Sequence, residues 1–131
     1  MKITEEYLKP DKYRPSFFDG IESGNPYFSF VCGVCSVSNE LDLWSFLNKS
    51  SNWEKEFNKI ELINIMKTLR LPVNSNGHIK RSHEGGYPYV GICSCINCKK
   101  SHLLYIGFYE FQPARYIGTL QGIYGISTTE N

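Results

Sequence analysis

A chain of 131 residues, 41% hydrophobic and 21% charged, has room for one packed core, which weighs against disorder and against two independent domains. A formal net charge of +1 lacks the strong basic field of a dedicated phosphate binder. Aromatic residues are plentiful: nine Tyr, eight Phe and two Trp bury much area from a short chain and suit strands and contact surfaces.

The opening Met1-Lys2-Ile3-Thr4-Glu5-Glu6 carries no signal-peptide apolar run, and no apolar run approaches a membrane span, so a cytoplasmic location is expected. Residues 1–26 read as an irregular segment packed on the domain. Thr4 would cap one helical turn through Leu8 that Pro10 stops, and Tyr13, Phe17 and Phe18 would pin the rest. Residues 27–32, Tyr-Phe-Ser-Phe-Val-Cys, alternate as a strand does.

Two helices are expected next. Asn39 would cap the first, about 40–48, with Leu43, Trp44 and Leu47 on one face. Ser51-Asn52-Trp53-Glu54 has the capping-box pattern for a second, about 52–71, ended by Pro72. Its wide apolar face, Trp53, Phe57, Ile60, Ile63 and Met66, suits packing on a sheet, and Trp44 and Trp53 are expected to pack the helices together. Residues 73–86 hold Asn76-Gly77 and Gly85-Gly86, a turn-rich loop with a brief strand near Ile79. Strands are then expected at Tyr87–Cys93 and His102–Phe111, and, after the Gln112-Pro113 break, at Ala114–Leu120 and Ile123–Ile126, separated by Gly122. The expected fold is α+β: one domain over 1–131, an antiparallel sheet, and two adjacent helices inserted between two cysteine knuckles. No internal repeat is visible.

The knuckles are Cys32-Gly33-Val34-Cys35 and Cys95-Ile96-Asn97-Cys98. Two residues between thiolates allow a tight turn that aims both sulfurs at one ion, and two such turns supply the four-sulfur tetrahedron of a structural zinc site. Cys32, Cys35, Cys95 and Cys98 are therefore the expected ligands and Zn the expected cofactor. Such a closed shell leaves no position for a catalytic water. A redox pair is disfavoured, since neither motif sits between a strand and a following helix in a βαβ unit. Cys93 is spare by strand periodicity, although it can replace Cys95 as ligand, and His102 can replace a sulfur. Residues 27–37 and 87–111 resemble the zinc-ribbon class, with a strand entering each knuckle and a long strand leaving the second. The chain departs from a compact ribbon in the roughly 60 residues between knuckles.

Evidence for catalysis is thin. His78 and His83 share a loop with Lys80, Arg81 and Glu84, which reads first as a solvated polar loop and second as an acid–base cluster. No phosphate loop, nucleophile elbow or dinucleotide fingerprint is present. The run Gly107-Phe108-Tyr109-Glu110-Phe111-Gln112-Pro113-Ala114-Arg115-Tyr116 is rich in residues that make strong contacts. Through this run and its neutral, aromatic-rich character the chain resembles the small cytoplasmic immunity proteins of bacterial polymorphic-toxin and contact-dependent inhibition systems. That resemblance implies stoichiometric blocking of a cognate toxin, often a nuclease, without turnover. The expected function is thus a non-enzymatic protein-binding module, its partner surface drawn from Tyr109, Glu110, Arg115, Tyr116, Lys80 and Arg81. The alternative is a zinc-ribbon-type nucleic-acid-binding or regulatory protein, with Lys80, Arg81, Lys99, Lys100 and Arg115 on phosphates. An enzyme built on the His78–His83 loop is a third class.

Overall fold

The computed structural model describes residues 1–8, 18–21, 27–73, 86–113 and 115–127, with 18–21, 111 and 112 described as backbone alone. In chain order the elements are β1 (Lys2–Leu8), β2 (Phe18–Ile21), β3 (Tyr27–Val31), β4 (Ser38–Asp42), α1 (Leu43–Lys49), a 3₁₀ turn at Trp53–Lys55, α2 (Lys59–Leu69), β5 (Tyr87–Ser94), β6 (Ser101–Gln112) and β7 (Arg115–Ser127). This is the α+β architecture expected, an antiparallel sheet with two helices lying in sequence between the knuckles.

The main sheet runs β1-β7-β6-β5, and β2 pairs with the same edge of β7 as β1. β1 lies along residues 123–127 of β7 and β2 along 115–118. β3 and β4 form a separate antiparallel hairpin.

The long apolar run after the second knuckle does not alternate because β6 is covered on both faces. Leu104, Ile106 and Phe108 enter one core with Phe28 and Phe30 of β3 and Leu43, Phe46 and Leu47 of α1. Leu103 and Tyr105, on the opposite face by the two-residue period, enter a second core with Trp53 and with Ile65 and Leu69 of α2. The sheet is therefore the middle of three layers.

Several local expectations give way. The N-terminal segment is not irregular throughout: residues 2–8 and 18–21 are strands on β7, and Thr4 caps nothing, its hydroxyl donating instead to the Gly125 carbonyl at 3.1 Å. Pairing with an exposed sheet edge outweighs one turn of helix, which costs more to nucleate than it returns.

Asn39 sits in β4 opposite Phe30, and the first helix is capped by Asp42, whose side chain accepts from Ser45 N–H at 3.1 Å. The 3₁₀ turn takes the Ser51–Glu54 signature. The working capping box is Asn58 with Glu61: Asn58 Oδ1 accepts from Glu61 N–H at 2.8 Å and Glu61 Oε1 from Asn58 N–H at 3.0 Å. α2 ends at Arg70, which turns left-handed (φ 53°) two residues before Pro72.

Trp44 and Trp53 do not meet. Trp44 packs edge-on against Phe108 and Tyr116, whereas Trp53 is buried in the other core and donates its indole N–H to the Pro88 carbonyl at 2.9 Å. Gly122 does not divide β7. It lies within the strand, at a position where a Cβ would press on the Tyr124 ring. The expected strand near Ile79 lies outside the described residues, as do Tyr13 and Phe17.

Candidate metal centre

Each knuckle is one tight turn, and the two turns are built alike. In the first, Cys32 N–H donates to Val37 O at 3.0 Å and Ser36 N–H to Cys32 O at 3.1 Å. In the second, Cys95 N–H donates to Lys100 O at 2.9 Å and Lys99 N–H to Cys95 O at 3.0 Å. Ser36 and Lys99, each one residue after its knuckle, adopt the left-handed conformation with φ 65° and 67°. That geometry costs about 1–2 kcal/mol at a non-glycine residue, and the turn imposes it twice.

The turns bring four sulfurs together. Sγ of Cys32 and Cys98 are 3.6 Å apart, as are those of Cys35 and Cys95, and all four lie within 4.8 Å of one another. A disulfide would need about 2.05 Å. A tetrahedron of thiolates at about 2.3 Å from a central ion has edges of about 3.8 Å, so both cross-knuckle separations fit one shared ion. The four expected ligands converge and can hold a metal ion.

Amide dipoles prepare the sulfurs. Val34 and Cys35 N–H donate to Cys32 Sγ at 3.3 and 3.5 Å. The Cys98 N–H, together with the Asn39 amide, pulls the Cys95 thiol down to about 6 against the effect of its burial. The Asn97 side chain, then the Val37 backbone, lowers Cys35. At Cys98 the Lys100 N–H pulls down, but burial and the three neighbouring sulfurs outweigh it and push the thiol up to about 11.

The knuckles are also clasped to each other. Asn39 follows Cys32 by seven residues, and His102 follows Cys95 by seven. The Asn39 amide donates to Val37 O at 3.1 Å while its Oδ1 accepts from Ile96 N–H, in the opposite knuckle, at 2.8 Å. His102 Nδ1 lies 3.0 Å from Lys100 O, and its Nε2 accepts from Gly33 N–H, in the opposite knuckle, at 3.2 Å. The ring therefore carries its proton on Nδ1, and His102 is no metal ligand. Both residues are buried. Asn39 also donates to Cys95 Sγ at 3.6 Å. An eight-residue pattern is thus used twice, Cys-Gly-Val-Cys-Ser-Val-Ser-Asn and Cys-Ile-Asn-Cys-Lys-Lys-Ser-His. Only the cysteines and one serine coincide, so the repeat is not visible in the sequence; the equal spacing to a buried polar residue is its signal.

The surroundings hold the first knuckle down. Tyr7 of β1 lies so close over Gly33 that any Cβ there would strike its ring, and the His102 ring lies 5.8 Å from Tyr7 and 5.1 Å from Phe30. Cys93 stands outside the cluster. It packs beside the core shared by β3 and α1, where burial, weakly opposed by Lys49, pushes its thiol up to about 11.

Of the expected contact residues, Glu110 and Arg115 are exposed near the β6–β7 turn, and Tyr109 and Tyr116 are half-buried. Tyr116 stacks on Phe108 with ring centres 5.4 Å apart. Lys80, Arg81, His78 and His83 lie outside the described residues. No family model matches the chain, and no curated protein or solved structure matches it either.

Proposed function

We propose that this chain is a non-enzymatic protein-binding module whose frame is fixed by one structural zinc ion. Zinc is the ion that best suits four soft, anionic sulfurs at tetrahedral spacing, and the closed shell leaves it no vacancy for chemistry. The observation that carries the binding reading is what the knuckles present outward. Val34 and Ile96, one in each C-x-x-C, are 60% and 71% exposed, and Tyr27 and Val31 are exposed on the outer face of the strand leading into the first knuckle. Apolar side chains on a tip held by metal and by buried hydrogen bonds lose little freedom on docking, which favours tight association.

Within this class the favoured reading is an immunity protein that holds and neutralises a cognate bacterial toxin. It is supported by the resemblance carried by Gly107 to Tyr116, of which Glu110 and Arg115 are exposed. The test is co-expression with the product of the neighbouring reading frame. Rescue of growth and a stoichiometric complex whose affinity barely responds to salt are expected. Failure of both rescue and complex formation would remove the immunity reading.

Nucleic-acid binding is the second reading. The knuckle lysines weigh against it: Lys99 donates to Ile96 O at 3.1 Å, and Lys100 is 3.7 Å from Glu5. That reading requires oligonucleotide affinity that falls steeply with salt.

A further inference from the structure

We propose that the cleft along the outer edge of β5 receives an extended peptide segment of a protein partner, added as a further strand beside Val90–Ser94. The proposal deepens the protein-binding reading and rests on it.

β5 ends the sheet order, and its only strand partner among the described residues is β6. In an antiparallel edge strand every second residue turns both its N–H and its C=O away from the neighbour. Pro88 sets the phase. It has no N–H to give to β6, and a proline inside an edge strand sits with its nitrogen facing outward. Its carbonyl is taken by Trp53. Counting by two from Pro88, the outward residues are Val90, Ile92 and Ser94. Proline and Trp53 thus close one end of the edge, and the metal centre, which begins at Cys95, fixes the other.

Between those ends the edge borders a cleft of about 620 Å³. Its walls come from both outer layers: Phe46 and Lys49 of α1 on one side, Glu56 and Phe57 on the other. The cleft is therefore open along the sheet plane, where a strand would enter.

The outward groups define the occupant. A small molecule can satisfy one or two of them, whereas a main chain satisfies the whole row, and buried backbone polar groups demand partners. Five residues of edge accommodate about five residues of peptide at about 3.3 Å each. Alternate side chains of that peptide would face α1, against Phe46 and Lys49, or the opposite wall, against Glu56, Phe57 and the 45%-exposed Ile92. Charge complementarity then asks for a basic residue on the second side, opposite Glu56, and for a neutral polar one on the first, where Asp42 lines the cleft with Lys49, with apolar residues between.

Random twelve-residue peptides displayed on phage and selected on the metal-loaded protein provide the probe. Recovered peptides are expected to alternate in this way, to slow exchange of the Val90 and Ile92 amide hydrogens, and to bind Ile92→Pro at least about tenfold more weakly. Ile92→Pro deletes an outward N–H and the exposed Ile92 side chain without touching the bonds to β6, so its melting temperature and metal content should stay near those of the parent, and Ile92→Ala, which keeps the N–H, should bind more tightly than Ile92→Pro. If that variant does not fold, peptides N-methylated at alternate residues read the same loss, and Glu56→Lys should weaken a peptide with a basic residue on that side.

Equal binding to Ile92→Pro, or unchanged amide exchange, would overturn the proposal. So would outward amides already protected in the free protein, by residues 74–85 or by a second copy seen as concentration-dependent mass. A partner that binds Ile92→Pro as tightly as the parent leaves the protein-binding reading standing and removes only this edge as its site.

Discussion

Asn39 and His102 hold equivalent places in the two knuckles: each accepts the backbone N–H of the residue after the first cysteine of the other knuckle, at 2.8 and 3.2 Å. Neither touches the ion position directly. Each orients the turn that supplies two sulfurs, and outer partners of this kind typically contribute 10- to 100-fold to metal affinity.

Asn39→Ala and His102→Ala should therefore each weaken zinc about 10- to 100-fold in chelator competition. Because the two clasps close the same pair of turns, the double variant should lose less than the product of the single losses. Asn39→Asp retains an acceptor for Ile96 N–H and should recover part of the affinity; a purely packing role for Asn39 would not show that recovery.

Gly33 and Tyr7 form a second dependent pair. Gly33→Ala should cost about 1–3 kcal/mol in denaturant unfolding, since the added Cβ meets the Tyr7 ring. Combining it with Tyr7→Ala should cost less than the sum of the two single changes. Strict additivity would show that the contact does not limit the turn.

Metal binding should release protons. With no metal bound, Cys98 is pushed up to about 11, so at neutral pH it is a thiol whose proton the ion must displace. Affinity should therefore rise with pH across the neutral range, and calorimetry in buffers of different ionisation enthalpy should report at least about one proton released per ion. An affinity independent of pH would mean that the sulfurs are not the ligands.

Trp53 joins the 3₁₀ turn to β5 by burial and by its hydrogen bond to Pro88 O. Trp53→Ala should cost about 3–5 kcal/mol, and Trp53→Phe less, leaving that carbonyl without its indole donor. Urea midpoints distinguish the two.

The sequence was most legible where chemistry and pattern agree. The paired C-x-x-C motifs identified the four converging sulfurs, and the β-branched and aromatic runs at 87–93 and 102–111 identified β5 and β6. Local signals misled where long-range pairing decides. Ser38–Asp42 has little strand propensity, yet the first knuckle turns the chain back onto β3 and makes β4 of it. The N-terminal residues are strands because β7 offers an edge, which no local window reveals. The capping pattern at Ser51–Glu54 pointed to the wrong start of α2, which the structure caps with Asn58 and Glu61. His102 has the spacing of a ligand, but its partner is a backbone amide 69 residues away, a contact that spacing alone does not expose.

On the function proposed, four sulfurs from two distant turns hold one ion and so fix the sheet between its outer layers. Closing a loop of about 60 residues in this way should restrict the unfolded chain by about 4 kcal/mol. The most direct measurement is the native mass of protein purified without chelator. One zinc per chain is predicted, absent from the Cys95→Ser/Cys98→Ser variant. A metal-free mass for the parent, or a mass two hydrogens short for each disulfide formed among these cysteines, would contradict it.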